Sequence, residues 1–145
     1  MTEVVKTLLV PYTPDEMFRL VDLVEEYPDF LPWCGGSVVH QRTEELTEAS
    51  LHISYMQVKQ QFTTLNAKSA PEEMIIRLKS GPFRSMEGYW RFKPLGDVAC
   101  KIEFALRYEF TNKLFEKVLG PVFGYIANNL VDAFIERAEK VYGAR

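Results

Sequence analysis

Apolar and polar residues alternate along the middle of the chain, with the period of two that β-strands require. In residues 98–110, aromatic and aliphatic side chains at even positions alternate with mostly charged ones at odd positions. This pattern predicts an antiparallel sheet with one buried and one solvated face. The predicted strands are 3–10, 37–42, 46–55, 58–67, 74–79, 85–92 and 98–110.

From Asn112 to Tyr142 the apolar residues recur about once per helical turn, which predicts one long amphipathic helix. Asn112 is a suitable N-cap, and Gly143 is a suitable residue beyond the last turn. Because Gly120-Pro121 lies inside this segment, we expect a kink or two collinear helices. The apolar stripe winds around the helix and therefore needs a curved partner.

Between the first two strands, the sequence predicts a short helix and then a constrained loop. Thr13 and Glu16 have the spacing of a capping box, and Pro14 suits the first helical position. Residues 27–34 contain two prolines, so we expect only a single turn there.

The order of elements is one strand, two helical pieces, six strands and a long helix. Short connections predict that the six strands form a meander and that the final helix lies across its apolar face. We therefore expect an α+β fold in one domain, residues 1–145, with seven strands bent around the C-terminal helix. A space between helix and sheet that large side chains leave unfilled would be a ligand cavity.

Charge is unevenly distributed along the chain. The net charge is −3, with −7 in residues 1–56 and +4 in residues 57–107. A generally basic nucleic-acid-binding protein is therefore not indicated, and we expect no DNA partner. An anionic partner would contact the middle third.

The residues that most often carry catalysis or metals are few and scattered. Cys34 and Cys100 lack metal-ligand spacing and are expected to be reduced, packed thiols. His40 and His52 have no acid or nucleophile at motif spacing, so we expect no catalytic residue, no metal and no required cofactor. The longest uncharged run, residues 118–131, is shorter than the ~20 residues of a spanning helix. We expect a cytoplasmic protein, peripheral to the inner membrane at most.

Three motifs together carry a resemblance to a known family: YPDFLPWC at 27–34, SMEGYWRFKPL at 85–95 and ANNLVDAFIERAEKVYG at 127–143. With the order of elements, they resemble the coenzyme Q-binding (ubiquinone-binding) START-domain family, which includes bacterial ribosome association toxins. The resemblance covers essentially the whole chain. It implies a helix-grip fold of the START and Bet v 1 type, with a hydrophobic tunnel for a lipophilic ligand. It also implies two functions: quinone binding that supports respiration, and binding of the large ribosomal subunit that blocks subunit joining.

A set of residues at inward-facing positions of the strands and the helix would surround such a ligand. Tyr27, Phe30 and Trp33 lie in a proline-stiffened segment that we expect to cover one mouth. Gly88 would remove volume from the inner face, and Tyr55, Tyr108 and Asn129 could donate hydrogen bonds to a quinone. The alternative for this set is an ordinary closed core. The predicted ligand-binding residues are Phe30, Trp33, Tyr55, Phe62, Trp90, Phe92, Phe104, Tyr108, Phe123, Ile126, Leu130 and Phe134.

Basic residues alternate with this apolar set and should lie on the outer sheet face. Phosphate contacts need only local positive charge, so this face is the candidate for ribosome binding. The alternative is that these residues serve solubility and edge protection. The residues are Lys59, Arg77, Lys79, Arg91, Lys93, Lys101 and Arg107.

Two further possibilities complete the predictions. The start of the long helix, with Leu114, Phe115, Val118 and Leu119, could touch a membrane transiently or pack against the sheet edge. Polyketide cyclases share this fold but keep polar groups in the cavity, and no paired carboxylates occur at inward positions here. The main prediction is therefore a non-enzymatic monomer that binds ubiquinone or another isoprenoid lipid. The ribosome association toxin is the alternative, and a cyclase is a remote one.

Overall fold

The computed structural model describes residues 1–145 and contains one sheet, one long helix and a short helical segment. The strands are β1 (Thr2–Val10), β2 (Cys34–Arg42), β3 (Leu46–Tyr55), β4 (Val58–Ser69), β5 (Glu73–Ser80), β6 (Phe83–Leu95) and β7 (Ala99–Phe110). The helices are α1 (Pro14–Asp22), a 3-10 turn (Val24–Glu26), α2 (Tyr27–Phe30) and α3 (Lys113–Tyr142).

All neighbouring strands are antiparallel. Strands β2 to β7 follow one another across the sheet, and β1 pairs with β7 at the far edge. The register places Trp90 opposite Phe104 and Gly88 opposite Leu106. The alternating apolar residues of β6 and β7 therefore lie on the same face of the sheet. The structure confirms the predicted α+β helix-grip architecture, with the curved sheet wrapped around α3.

The beginning of α1 is fixed by the predicted capping box. The Thr13 hydroxyl accepts a hydrogen bond from the Glu16 backbone at 3.2 Å, and the Glu16 carboxylate accepts one from the Thr13 backbone at 2.9 Å. Met17, Phe18, Leu20 and Val21 are buried beneath the helix. These contacts hold α1 over one end of the sheet.

Helix α3 runs without a break from Lys113 to Tyr142, so the expectation of two collinear helices is wrong. Pro121 is exposed and removes only one backbone donor, while buried neighbours on the opposite side keep the helix packed. The Asn112 side chain caps the first turn at 2.9 Å, as predicted. By length and composition α3 could also cross a membrane, although 39% of its most apolar stretch is buried inside the fold.

Strands β2 and β6 depart most from the predicted bounds. Strand β2 begins at Cys34 and includes Gly35, where a Cβ atom would lie 2.9 Å from the Ser54 Cβ. Strand β6 extends from Phe83 to Leu95 rather than from 85 to 92. The single turn predicted within residues 27–34 is confirmed as α2, at residues 27–30.

Candidate functional site: an apolar cavity under the C-terminal helix

A cavity of about 80 Å³ lies between the inner face of the sheet and the middle of α3, from Phe123 to Phe134. It is present because α3 packs most closely against α1, β7 and β1, which leaves space above β3, β4 and β5. Eighteen of its 20 lining residues are hydrophobic, and none carries a charge. The site is therefore suited to an uncharged, largely apolar ligand.

The volume limits what the cavity can hold in this state. A water molecule needs roughly 10–15 Å³ on this measure, whereas sites for drug-sized ligands measure about 300–1,000 Å³. The space accommodates a small ring or a short branched chain, and an isoprenoid tail does not fit. Leu51, Ile76 and Leu130 are the half-buried members of the lining, so the cavity comes nearest to solvent beside them.

The structure brings eight of the twelve predicted ligand-binding residues together around this space. They come from the segment after α2, from the sheet and from one side of α3. Trp33 is 5% exposed and Trp90 is 2% exposed, so both indoles are enclosed. The eight are Trp33, Phe62, Trp90, Phe104, Phe123, Ile126, Leu130 and Phe134.

The other four predicted residues do not line the cavity. Phe92 stacks beyond Trp90 and meets the Phe18 ring edge-on, so it belongs to the core under α1. Phe30 packs edge-on against Phe134 from outside, with ring centroids 5.3 Å apart. These two rings support the cavity wall without forming its surface.

Tyr55 and Tyr108 lie away from the cavity, under the first half of α3. Tyr55 stacks on Tyr125 near the end of the β3–β4 hairpin, with centroids 5.3 Å apart. Tyr108 is buried against Phe123 at 4.6 Å, and burial raises the pKa of its hydroxyl. Asn129, the third predicted donor, is exposed and donates to the Tyr125 carbonyl at 2.8 Å. None of the three is placed to hold a ligand in this cavity.

The segment after α1 forms one wall of the cavity, on a side where the structure shows no mouth. Tyr27 and Trp33 line the cavity, and the Tyr27 hydroxyl donates a hydrogen bond to the Val21 carbonyl. Burial, followed by the charge of Asp22, raises the pKa of Tyr27 well above its ordinary value. The Tyr27 side chain therefore stays neutral, and its hydroxyl proton is used in the hydrogen bond to Val21.

Gly88 has a different role from the predicted one. It does not line the cavity, and a Cβ atom there would lie 2.3 Å from the Ala105 carbonyl oxygen. Close approach of β7 requires glycine at this position. On the outer face, Gly88 lies in the floor of a shallow depression of about 360 Å³.

Two polar residues that the sequence analysis missed line the cavity: Thr64 and Asn66 on β4. They follow Phe62 at the alternate positions that face inward, so polar residues on an otherwise apolar parity were the available signal. Asn66 is 7% exposed, and its Oδ1 atom has no hydrogen-bond partner in the protein. Lys68, two positions further, is paired with Asp22 at 3.2 Å.

The cysteines and histidines are not positioned for catalysis at this cavity. Burial raises the pKa of the Cys34 thiol, whose sulfur contacts the Gly36 carbonyl at 3.3 Å. Burial, with a contribution from Glu16, raises the pKa of Cys100 to about 11. His40 is exposed and contacts the Ser50 hydroxyl at 2.7 Å, and neither it nor His52 lines the cavity. Both thiols therefore stay protonated packing groups near neutral pH.

On the outer face, most of the predicted basic residues are neutralised by acids on neighbouring strands. Lys79 pairs with Glu48, Arg91 with Glu73, Lys93 with Glu103, and Arg107 with Glu3, at distances between 2.8 and 3.5 Å. Lys59, Arg77 and Lys101 form no ion pair. The face is therefore a mosaic of charges rather than a continuous basic surface.

The start of α3 is divided between surface and core. Leu114 and Val118 are 67% and 53% exposed, whereas Leu119 is buried and Phe115 packs against the core. Only the first two could contact a membrane, so the predicted patch of four residues is reduced to two.

The fold agrees with that of known proteins that this chain resembles. The sequence profile of a family described as polyketide cyclase/dehydrase and lipid transport matches residues 10–135. The chain belongs to this family.

Within the polyketide cyclase/dehydrase and lipid transport family, the chain is of the RatA and COQ10 type. It is 42% identical to the Ribosome association toxin RatA of Escherichia coli strain K12, over 100% of this chain and 92% of that protein. It is 28% identical to the mitochondrial Coenzyme Q-binding protein COQ10 of Drosophila melanogaster, over 95% of this chain and 59% of that protein.

Solved structures share the fold at lower identity. A START superfamily protein of Mycobacterium smegmatis matches with a TM-score of 0.80 at 20% identity, covering 96% of this chain and 98% of that one. Aromatase/cyclases are also among the structural neighbours, at 15% identity or less. The relatives named above are toxins or binding proteins, whereas these neighbours show the fold alone.

Proposed function

We propose that this protein binds a hydrophobic ligand without transforming it, in the cavity between the sheet and α3. The observation that carries the proposal is the enclosed apolar lining, with 18 hydrophobic residues and no charge. The name of the Drosophila relative suggests the ligand class, which is ubiquinone or another isoprenoid lipid. Such a ligand gains most of its binding free energy from apolar area removed from water.

The size of the cavity adds a condition to this proposal. A short apolar compound enters the present space, whereas a longer isoprenoid chain enters only if part of the wall moves. Leu130 is the half-buried helix residue of the lining, and Tyr27 and Trp33 belong to the short segment around α2. Outward movement of this segment, away from α3, would extend the cavity toward solvent.

The chemistry of the lining favours binding over catalysis. General acid–base catalysis requires a titratable group within reach of the reacting atoms. Tyr27 is the titratable member of the lining, and its hydroxyl is already bonded to the Val21 carbonyl. Because no carboxylate or histidine lines the cavity, the proposed role is retention or transfer of a ligand.

Tryptophan fluorescence can test this proposal directly. The chain contains two tryptophans, Trp33 and Trp90, and both line the cavity. We expect saturable quenching by ubiquinone-1, which carries a single isoprene unit, with weaker binding as the isoprenoid chain is lengthened.

The matched control fills the cavity without adding polarity. Ala49 and Ala127 line the space and are 2% and 1% exposed, so Ala49→Leu with Ala127→Leu should occupy it. This variant should abolish saturable quenching while it remains folded. Equal quenching of the wild type and the filled variant would overturn the proposal.

Ribosome association is a second candidate, favoured by the name of relatives that match the whole chain. The outer sheet face offers the surface for it. The depression there is bordered by Arg77, Arg91 and Arg107, and the Arg91 guanidinium lies 3.9 Å from the centre of the Tyr89 ring. Arginine and an aromatic ring suit contacts with RNA phosphates and bases.

Charge reversal on this face tests the second candidate. Because Arg77 and Lys101 form no ion pair, Arg77→Glu with Lys101→Glu removes free positive charge without breaking a pair. We expect loss of co-sedimentation with large ribosomal subunits. Arg19→Glu, which reverses an exposed charge on α1, is the control and should not change sedimentation. Unchanged sedimentation of the double variant would exclude this face.

The two functions use opposite faces of one sheet and are separable. The variant with Ala49→Leu and Ala127→Leu should lose ligand and keep ribosome binding. The variant with Arg77→Glu and Lys101→Glu should do the reverse.

A further inference from the structure

Two buried polar atoms without partners lie next to each other on the inner face of the sheet. They are Oδ1 of Asn66 on β4 and Oγ1 of Thr47 on β3. The two residues are direct partners in the β3–β4 register and are 7% and 0% exposed. Buried polar atoms in native proteins are nearly always hydrogen-bonded, so a pair of unpartnered ones requires an explanation.

The position of this pair connects it to the cavity. Asn66 lines the cavity together with Thr64, which faces the same side of β4. The rest of the lining is apolar. The Asn66 carboxamide and the Thr64 hydroxyl are therefore the polar side-chain groups at one end of the cavity. Ligand sites combine apolar walls and a few placed polar groups in this way.

The chemistry of these groups defines the ligand group that would fit. A carboxamide oxygen only accepts hydrogen bonds, whereas the amide nitrogen and threonine hydroxyls can donate them. A ligand hydroxyl can donate to Asn66 Oδ1 and accept from a neighbouring donor. A carbonyl or an ether cannot satisfy Oδ1, because it has no proton to donate.

The electrostatics of the surroundings exclude a charged ligand group. No charged residue lines the cavity, and the inward Lys68 is already neutralised by Asp22 at 3.2 Å. A carboxylate or an ammonium group would therefore be desolvated without a counter-ion.

We propose that Asn66, with Thr64 on the same strand, forms a polar subsite that selects hydrophobic ligands carrying a neutral hydroxyl, such as an alcohol, a phenol or a hydroquinone. This inference rests on the proposed ligand-binding function and specifies the polar end of the ligand. It predicts that a hydroquinone binds more tightly than the corresponding quinone.

A pair of small probes isolates the hydroxyl. 4-Propylphenol and 4-propylanisole share one apolar body and differ in whether their oxygen carries a proton. We expect the wild-type protein to bind the phenol at least about tenfold more tightly, measured by tryptophan fluorescence and calorimetry, as for loss of one good hydrogen bond. Failure of both probes to bind would overturn the ligand-binding proposal itself. Equal binding of the two would overturn only the subsite.

Asn66→Leu removes the carboxamide and keeps a side chain of similar size. It should weaken phenol binding about tenfold, to the level of the anisole, and should leave anisole binding unchanged or tighter. Gln61→Leu changes an exposed residue of the same strand and should retain the preference for the phenol. A preference that persists in Asn66→Leu would contradict the assignment.

A measurement on the wild-type protein avoids dependence on how the variant folds. In ¹⁵N spectra, the side-chain amide signals of Asn66 should shift in a saturable way with 4-propylphenol and much less with 4-propylanisole. Identical shifts with both probes, or none with the phenol, would overturn the subsite.

Discussion

The interior between the sheet and α3 has two ends, and they are packed in opposite ways. Under the first half of α3, the rings of Phe83, Tyr108, Phe110 and Phe123 meet with centroids 4.6 to 6.2 Å apart. The space left there is about 10 Å³. Under the middle of α3, from Phe123 to Phe134, about 80 Å³ stays open beside a polar group without a partner.

This difference shows that the helix-grip arrangement does not by itself create a cavity. Both ends use the same strands and the same helix, and Phe123 lines the spaces at both ends. At one end aromatic side chains fill the space, whereas at the other Ala49 and Ala127 leave it open. The location of the site is therefore set by side-chain size, which mutation can change.

The largest expected effect comes from truncation at the packed end. Phe83→Ala should lower the free energy of unfolding by about 3–5 kcal/mol, because the surrounding rings cannot fill the hole. Leu130→Ala at the open end should cost about 1 kcal/mol, since this half-buried side chain already borders a void. Urea denaturation of both variants gives the comparison. Equal losses would show that the two ends do not differ in packing.

Enlarging alanines should have opposite effects at open and closed positions. Ala49→Leu fills the cavity and should raise the free energy of unfolding by about 0.5–2 kcal/mol. Ala138→Leu is the matched control, because Ala138 is fully buried on α3 and borders no cavity. It should lower stability by about 1–3 kcal/mol through overpacking. Destabilisation by Ala49→Leu of similar size would contradict the assigned void.

Removing a hydroxyl should also distinguish two positions on adjacent strands. Thr47→Val deletes a buried hydroxyl that has no partner and should stabilise the protein by about 1 kcal/mol. Thr63→Val is the control, because that hydroxyl lies 2.6 Å from the Ser50 hydroxyl, and its loss should destabilise by about 1 kcal/mol. Chemical denaturation without ligand measures both. A loss of stability in Thr47→Val would mean that its hydroxyl has a partner.

The smallest expected effect comes from the ion pair between Glu16 on α1 and Arg145 at the C-terminus. The Arg145 guanidinium donates hydrogen bonds of 2.6 and 2.8 Å to Glu16, and it lowers the pKa of that carboxyl below its usual 4.5. Because the folded pKa is lowered, the stabilisation is present above pH 4.5 and is lost as pH falls through the folded pKa. Arg145→Ala should lower stability only slightly at pH 7, because the pair is exposed to solvent, and the difference from wild type should vanish in acid. A difference that is independent of pH would exclude this ion pair as the cause.

The alternating pattern was sufficient to predict seven strands, their antiparallel order and the helix across them. The cavity was harder to predict. The alternation along a strand shows which face of the sheet a residue lies on, but not which part of the helix lies over it. Tyr108 faces inward as predicted, yet it lies at the packed end. The role of Gly88 was predicted wrongly. Glycine is required there because the backbone of the neighbouring strand lies close to it, and the sequence does not show that approach.

The ion pairs of the outer face and the polar subsite were missed for different reasons. Pairing of Arg91 with Glu73 depends on the register between β5 and β6, which fixes these residues opposite each other. Asn66 was overlooked because the search of β4 followed apolar residues. The sequence does show a polar residue at an inward position of β4. Such a departure from the apolar pattern of the inner face indicates a functional site.

The central claim is that a hydrophobic ligand enters the space under the middle of α3, between Phe123 and Phe134. Crystals of the protein soaked with a brominated alkylphenol would locate it through the anomalous signal of bromine. The expected result is one bromine position between Trp90 and Leu130, absent from crystals of the variant with Ala49→Leu and Ala127→Leu. A bromine position only on the outer face near Tyr89, or none at a saturating concentration, would contradict the claim.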